Sequence, residues 1–145
     1  MAIETKKEKE GKKFTEVMSH DLAASEVERW LDYKQIDDLQ REDQEGSIKY
    51  LISYIKSGHL ILNEDYSFTH RLKFPLDSAG LTILNYKSRV MEKELSSKLM
   101  GVRADDTDGR IVAHISALTG QVIGIIKSLD KEDIKIARSI AVFFM

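Results

Sequence analysis

Four histidines, His20, His59, His70 and His114, and one acidic loop, Asp105-Asp106-Thr107-Asp108-Gly109, are the residues of this 145-residue chain whose types invite metal or acid–base chemistry. The loop has the composition of a calcium site, and its register does not fit one. If Gly109 takes the invariant sixth position of a twelve-residue calcium loop, position one falls on Ala104 and position twelve on Ile115, so the first carboxylate and the closing bidentate glutamate are both missing. A helix cap by Thr107 or Asp108 is the better account. No two histidines stand at i, i+4, and none lies beside a carboxylate at a metal-motif interval. His70 in a predicted strand and His114 on a predicted helix therefore read as packed or half-exposed side chains. Cysteine is absent, which excludes disulfides, thiol catalysis and Cys-based metal sites. No serine sits in a Gly-x-Ser-x-Gly elbow, and no glycine-rich loop precedes a Lys-Ser or Lys-Thr pair. The abundant carboxylates fall on predicted helix faces, where solvation explains them. The sequence thus nominates no catalytic, metal or cofactor-binding residue, and the expectation is a protein that is not an enzyme and holds no cofactor.

The elements that would position any site can be read from period and punctuation. With 42% hydrophobic and 32% charged residues, the chain has material for one core and no apolar run near the roughly 20 residues that cross a bilayer. A net charge of −2 gives no electrostatic reason to expect nucleic acid. Residues 1–19 alternate lysine and glutamate around Gly11 and read as a flexible charged arm. No apolar segment follows its lysines as in a secretory signal, so the expected location is the cytoplasm. Residues 20–145 read as a single compact domain: N-terminal helices over 20–58, a small sheet over 59–87 and a helical region over 88–145. Ser25 followed by Glu28 has the pattern of a capping box and starts a helix from about Glu26 to Lys34, with Trp30 as its packed anchor. After a break near residues 36–37, Ile48, Leu51, Ile52 and Ile55 form an amphipathic stripe on a helix that Gly58 stops. Leu60 and Leu62 then alternate around Ile61, the cluster Asn63-Glu64-Asp65 turns the chain, and Pro75 ends a second strand. That is a hairpin over about 59–74, joined by a third strand over about 81–87 that carries Leu81, Ile83 and Tyr86. The fold class is α+β: a mainly helical domain with a small antiparallel sheet.

The last third of the chain is the most apolar. Met91, Leu95 and Leu99 repeat at four-residue intervals before Gly101. Ile111, Ile115 and Leu118 follow on a helix ended by Gly120, and a short helix carries Val122, Ile125 and Ile126. Asp130, with Asp133 three residues on, caps a final helix that sets Ile136, Ile140, Phe143 and Phe144 on one side and Ile134, Ala137 and Ala141 beside them. The Gly120 turn between two short helices has the outline of a helix-turn-helix, so a small DNA-binding regulator is the alternative function. Its second helix offers Gln121 and then only apolar residues, where base reading needs several polar side chains.

Residues 72–144 resemble the tail assembly chaperones of long-tailed phages and prophages, in the Mu-like branch. The resemblance rests on the strand at Pro75, the segment over residues 90–101 before the acidic loop, and the order Ala117-Leu118-Thr119-Gly120, Leu129-Asp130, Asp133, then Ile140 to Phe144. It covers about half the chain and leaves out the N-terminal helices with Trp30. It implies a non-enzymatic protein of virion assembly, acting in the host cytoplasm. Such a protein binds the long apolar helical tape measure protein until tail tube subunits polymerise around it, and many copies per client make self-association plausible. In that family a ribosomal frameshift near the gene end often adds a second domain, and a chain stopping at Phe143-Phe144-Met145 is compatible with the short product. The apolar surplus and this resemblance together nominate Ile126, Ile136, Ile140, Phe143 and Phe144 as partner-binding residues.

Overall fold

The computed structural model describes residues 17–145. Residues 1–16 of the expected arm lie outside the described residues. Residues 17–19 are tied to the body: the N–H groups of Val17 and Met18 donate to the Lys56 carbonyl at 2.7 and 3.2 Å, and the Ser19 hydroxyl accepts from the Leu22 N–H at 3.2 Å. Ser19 is therefore the N-cap of the first helix, α1, His20–Tyr33. The expected start at Glu26 lies too far along the chain. Ala23, Val27, Trp30 and Leu31 make one continuous buried stripe, so the packing face begins before Ser25 and the helix begins with it. Glu28 does not close a capping box; it pairs with Arg41 instead.

The single helix expected up to residue 57 is two. α2, Asp38–Asp43, is capped by Asp37, whose carboxylate accepts from the Gln40 N–H at 2.8 Å, and α3, Glu45–Lys56, follows. Gln44 breaks the helical path between them at φ −107° and ψ 28°. Of the expected stripe, Leu51 and Ile55 are fully buried with Tyr54, while Ile48 and Ile52 flank the core.

Three strands form an antiparallel sheet in chain order: β1, Leu60–Leu62, β2, Phe68–Leu76, and β3, Leu81–Tyr86. The α+β expectation and its three-stranded sheet hold. Two details differ. β2 does not end at Pro75 but runs through it to Leu76. Arg71 pairs with Ile83 and the next pair is Leu76 with Leu81, so residues 72–75 bulge out against Thr82 alone. A proline costs nothing in a stretch that has already left the ladder. In β3 the inward residues are Leu84 and Tyr86, while Ile83 is 42% exposed.

Four helices complete the chain: α4, Glu92–Leu99, α5, Thr107–Thr119, α6, Ile123–Lys127, and α7, Lys131–Ala141. α5 is the axis of the C-terminal half, with every residue from Val112 to Leu118 buried among α4, α6, α7 and β3. Its cap is Asp106, not Thr107 or Asp108: the Asp106 carboxylate accepts from the Gly109 N–H at 2.9 Å. A Cβ at residue 109 would stand 2.4 Å from that carboxylate, so glycine there makes room for the cap.

Trp30 joins the two halves. Its indole meets the ring of Phe68 edge-on at 5.0 Å and that of Phe143 at 5.5 Å, which links α1, β2 and the C-terminal turn in one aromatic cluster.

Candidate functional site

The fold brings together two polar residues that lie far apart in the chain. His70 is on the inward face of β2 between Phe68 and Leu72, and Asp133 is in the first turn of α7. Both are fully buried. The Asp133 carboxylate accepts from three donors that β2 left unsatisfied or turned inward. Its Oδ1 takes the Lys73 N–H at 2.9 Å and His70 Nε2 at 3.3 Å, and its Oδ2 takes the Phe74 N–H at 3.0 Å. The two backbone donors belong to the bulge, where no β3 partner faces them. On the other side of the imidazole, the Tyr86 hydroxyl donates to His70 Nδ1 at 2.9 Å. The ionised carboxylate can only accept, which puts a proton on His70 Nε2 and, in the neutral ring, leaves Nδ1 to accept from Tyr86.

The electrostatics agree with the hydrogen bonds. Burial pushes the Asp133 carboxyl up, but the His70 hydrogen bond and the two backbone N–H groups outweigh it and hold it below the usual aspartate value. Burial, with the Asp133 charge second, pushes the Tyr86 phenol well up, so it stays a donor. Tyr54 is pushed up in the same way, and its hydroxyl donates to the Glu132 carbonyl at 3.1 Å, one residue before Asp133.

Hydroxyl, imidazole and carboxylate in series have the connectivity of a nucleophile, its base and the group that orients the base. Access is what such a site also needs. Tyr86 is 1% exposed and both His70 and Asp133 are 0% exposed. The Tyr86 hydroxyl, both ring nitrogens of His70 and both Asp133 oxygens each have a partner inside the core. The arrangement holds the β2 bulge onto α7, and its chemistry is that of a buried clamp.

Sequence reading missed this pair, and a signal for it was present. His70 occupies the alternation position shared by Phe68 and Leu72, and Asp133 occupies the apolar stripe of Ile136, Ala137 and Ile140. A polar residue on a core-facing position must find a buried partner.

The other histidines do not join it. His20 is exposed at the start of α1. His59 Nδ1 bonds the Arg71 carbonyl at 3.1 Å, and His114 Nδ1 bonds the Arg110 carbonyl at 2.8 Å. Among the described residues no three His, Asp or Glu side chains gather as a metal site.

The residues nominated for partner binding are placed differently from the expectation. Ile126, Ile136 and Ile140 are 0% exposed and Phe143 is 4% exposed, so four of the five are core. α7 lies between α3 and β2 with α5 alongside, so its apolar sides are used up inside the domain. Only Phe144 remains half-buried at the surface. Apolar surface is left at several places, among them Leu22, Leu39, Val122, the sheet residues Phe74 and Ile83, and α4. None of its residues is buried, and the methionines at its two ends, Met91 and Met100, are 73% and 80% exposed. An open groove of about 500 Å³ runs along it, lined by Met91, Lys87, Arg89, Lys93, Glu94, Ser97 and Lys98. In the helix-turn-helix outline, the second helix is the five-residue α6, which sends Ile126 into the core. No helix among the described residues is long and apolar enough to cross a membrane.

Comparison with family models, with curated proteins and with solved structures gives no match for this chain.

Proposed function

We propose that this chain is a non-enzymatic assembly chaperone of the phage tail kind, acting in the host cytoplasm. Its client is a long apolar helical tape measure protein, held in solution before tail tube polymerisation. The observation that carries the reading is α4: a helix outside the core, ending in two exposed methionines, over a groove flanked by lysine stems. Methionine adapts its shape to varied apolar partners, and a surface of this type takes an amphipathic helix laid into a groove. A long client offers many such helical faces in succession, and covering them removes its route to aggregation. α4 also lies within the segment over residues 90–101 that resembles tail assembly chaperones. The lysines around the groove keep the unoccupied surface soluble while their stems extend its apolar area.

The test is co-expression with a tape measure protein encoded in the same genomic neighbourhood. The expected result is a soluble complex that co-purifies, and its loss in the double variant Met91→Asp, Met100→Asp. Both positions are exposed, so the variant keeps the fold. A client that stays insoluble beside the wild-type chain overturns the proposal. A client that binds the double variant equally well removes α4 as the binding surface.

A further inference from the structure

A second surface feature adjoins the α4 groove and shares Arg89 with it, but it rests on other observations. Where α1 ends, a cavity of about 310 Å³ opens between that helix end, residues 88–90 and Phe144. Two cations line it, Lys34 and Arg89. Several basic groups elsewhere pair with an acid: Arg29 with Glu26, Arg41 with Glu28 and Asp32, Lys87 with Glu94, and Arg138 with Asp108. Lys34 and Arg89 make no ion pair among the described residues. Lys34 is partly buried instead, its ammonium 3.4 Å from the Phe144 ring centre and 6.0 Å from that of Trp30. Burial, with the Arg89 charge second, pushes Lys34 down to about 8.

Two like charges facing one cavity, with no carboxylate to offset them, are an arrangement that an anion would relieve. The rest of the lining supplies donors of the right kind, the Ser88 hydroxyl and the Gln35 amide. Gln35 is held at φ 58°, following a helix end where the Ile36 N–H reaches the Leu31 carbonyl and the Gln35 N–H reaches the Asp32 carbonyl. Glycine fills that position at less conformational cost, so residue 35 holds a backbone conformation that a side chain disfavours.

We propose that this cavity binds the phosphate group of a small ligand. Guanidinium, ammonium, hydroxyl and amide donors around one space suit the several oxygens of a tetrahedral anion, and the guanidinium can engage two of them at once. Nucleic acid is a poorer fit, since the chain carries a net charge of −2 and the two cations form a pocket, not a stripe.

Trp30 is the only tryptophan, and its distance from Lys34 makes its emission a reporter of the cavity. The full chain is titrated with inorganic phosphate and with phenyl phosphate, and in parallel with acetate and chloride at matched ionic strength. Calorimetry on the same samples covers a complex that leaves emission unchanged. A saturable response to one or both phosphates, absent with acetate and chloride, is expected. Arg89→Gln and Lys34→Met should each weaken it at least tenfold, with circular dichroism verifying that both variants fold. A response to phenyl phosphate alone assigns the site to an organic phosphate; equal responses assign it to the free anion. The proposal is overturned by no saturable heat or emission change with either phosphate, by an equal response to acetate or chloride, or by unchanged affinity in both variants.

Discussion

Asp133→Asn exchanges one buried oxygen for an amide nitrogen at nearly constant volume, so it isolates the clamp from the packing around it. In the native protein Oδ1 accepts from the Lys73 N–H and His70 Nε2, and Oδ2 accepts from the Phe74 N–H. An asparagine has one acceptor oxygen. Turned one way, its NH2 group faces the Phe74 N–H; turned the other way, it faces both the Lys73 N–H and His70. At least one buried donor is orphaned, at about 1–3 kcal/mol, and the bonds that remain lose the charge that made them about twice as strong as neutral ones. The expected loss is about 2–4 kcal/mol from the roughly 5–15 kcal/mol that holds a domain together. Urea unfolding followed by Trp30 emission measures it, with the slope unchanged because the surface exposed on unfolding is the same. Acid sharpens the test. The folded carboxyl is held below its unfolded value, so its stabilisation is complete above about pH 4 and disappears as pH falls through the folded value. The asparagine variant lacks that component, and the two stability curves should converge in acid. A loss under about 1 kcal/mol at pH 7, within the range of an ordinary substitution, would refute the clamp.

Two further predictions follow from the helix ends and the cavity. Ser19→Ala should cost about 1 kcal/mol because it removes the cap of α1, whereas Ser25→Ala, inside the helix, should cost almost nothing; equal losses in chemical denaturation would return the helix start to residue 25. Lys34→Met should stabilise the chain at pH 7 in thermal melts. The folded Lys34 is depressed to about 8 from 10.5, so its charge opposes folding below pH 8, and that opposition fades as pH rises from about 8 to 10.5. The advantage of Lys34→Met should shrink over the same window; a loss of stability at pH 7 would mean that the contact with Phe144 outweighs the burial.

Local pattern carried the elements, and tertiary layering decided which faces they use. The alternation of Leu60 and Leu62, the glycine stop at Gly58 and the cap at Asp130 are set by neighbours a few residues away, so period and punctuation reveal them. The inward face of β3 is set by its register on β2, and a single step moves burial from Ile83 to Leu84. Pro75 looks like a strand end because period alone contains no bulge. Ile136, Ile140 and Phe143 look like surplus because an apolar stripe does not say how many layers will cover it; here α3, α5 and β2 cover α7. The meeting of His70 with Asp133 depends on residues 63 positions apart, beyond any local window, although each stands on a core-facing position of its own element. The capping pattern Ser25-Glu28 was a real pattern in the wrong place, since Ser19 serves the same purpose at the true start of the buried stripe.

The β2 bulge also has a consequence in time. The carboxylate that accepts the Lys73 and Phe74 N–H groups comes from residue 133, which leaves the ribosome long after the strand it completes. Until α7 docks, the middle of β2 has two N–H donors without their protein acceptor and the His70 ring has only Tyr86 as a partner. The sheet can therefore pair at its ends early, but the strand cannot settle until the last helix arrives. Docking of α7 is therefore expected to close the fold, and Asp133→Asn should hasten unfolding far more than it slows refolding in stopped-flow kinetics.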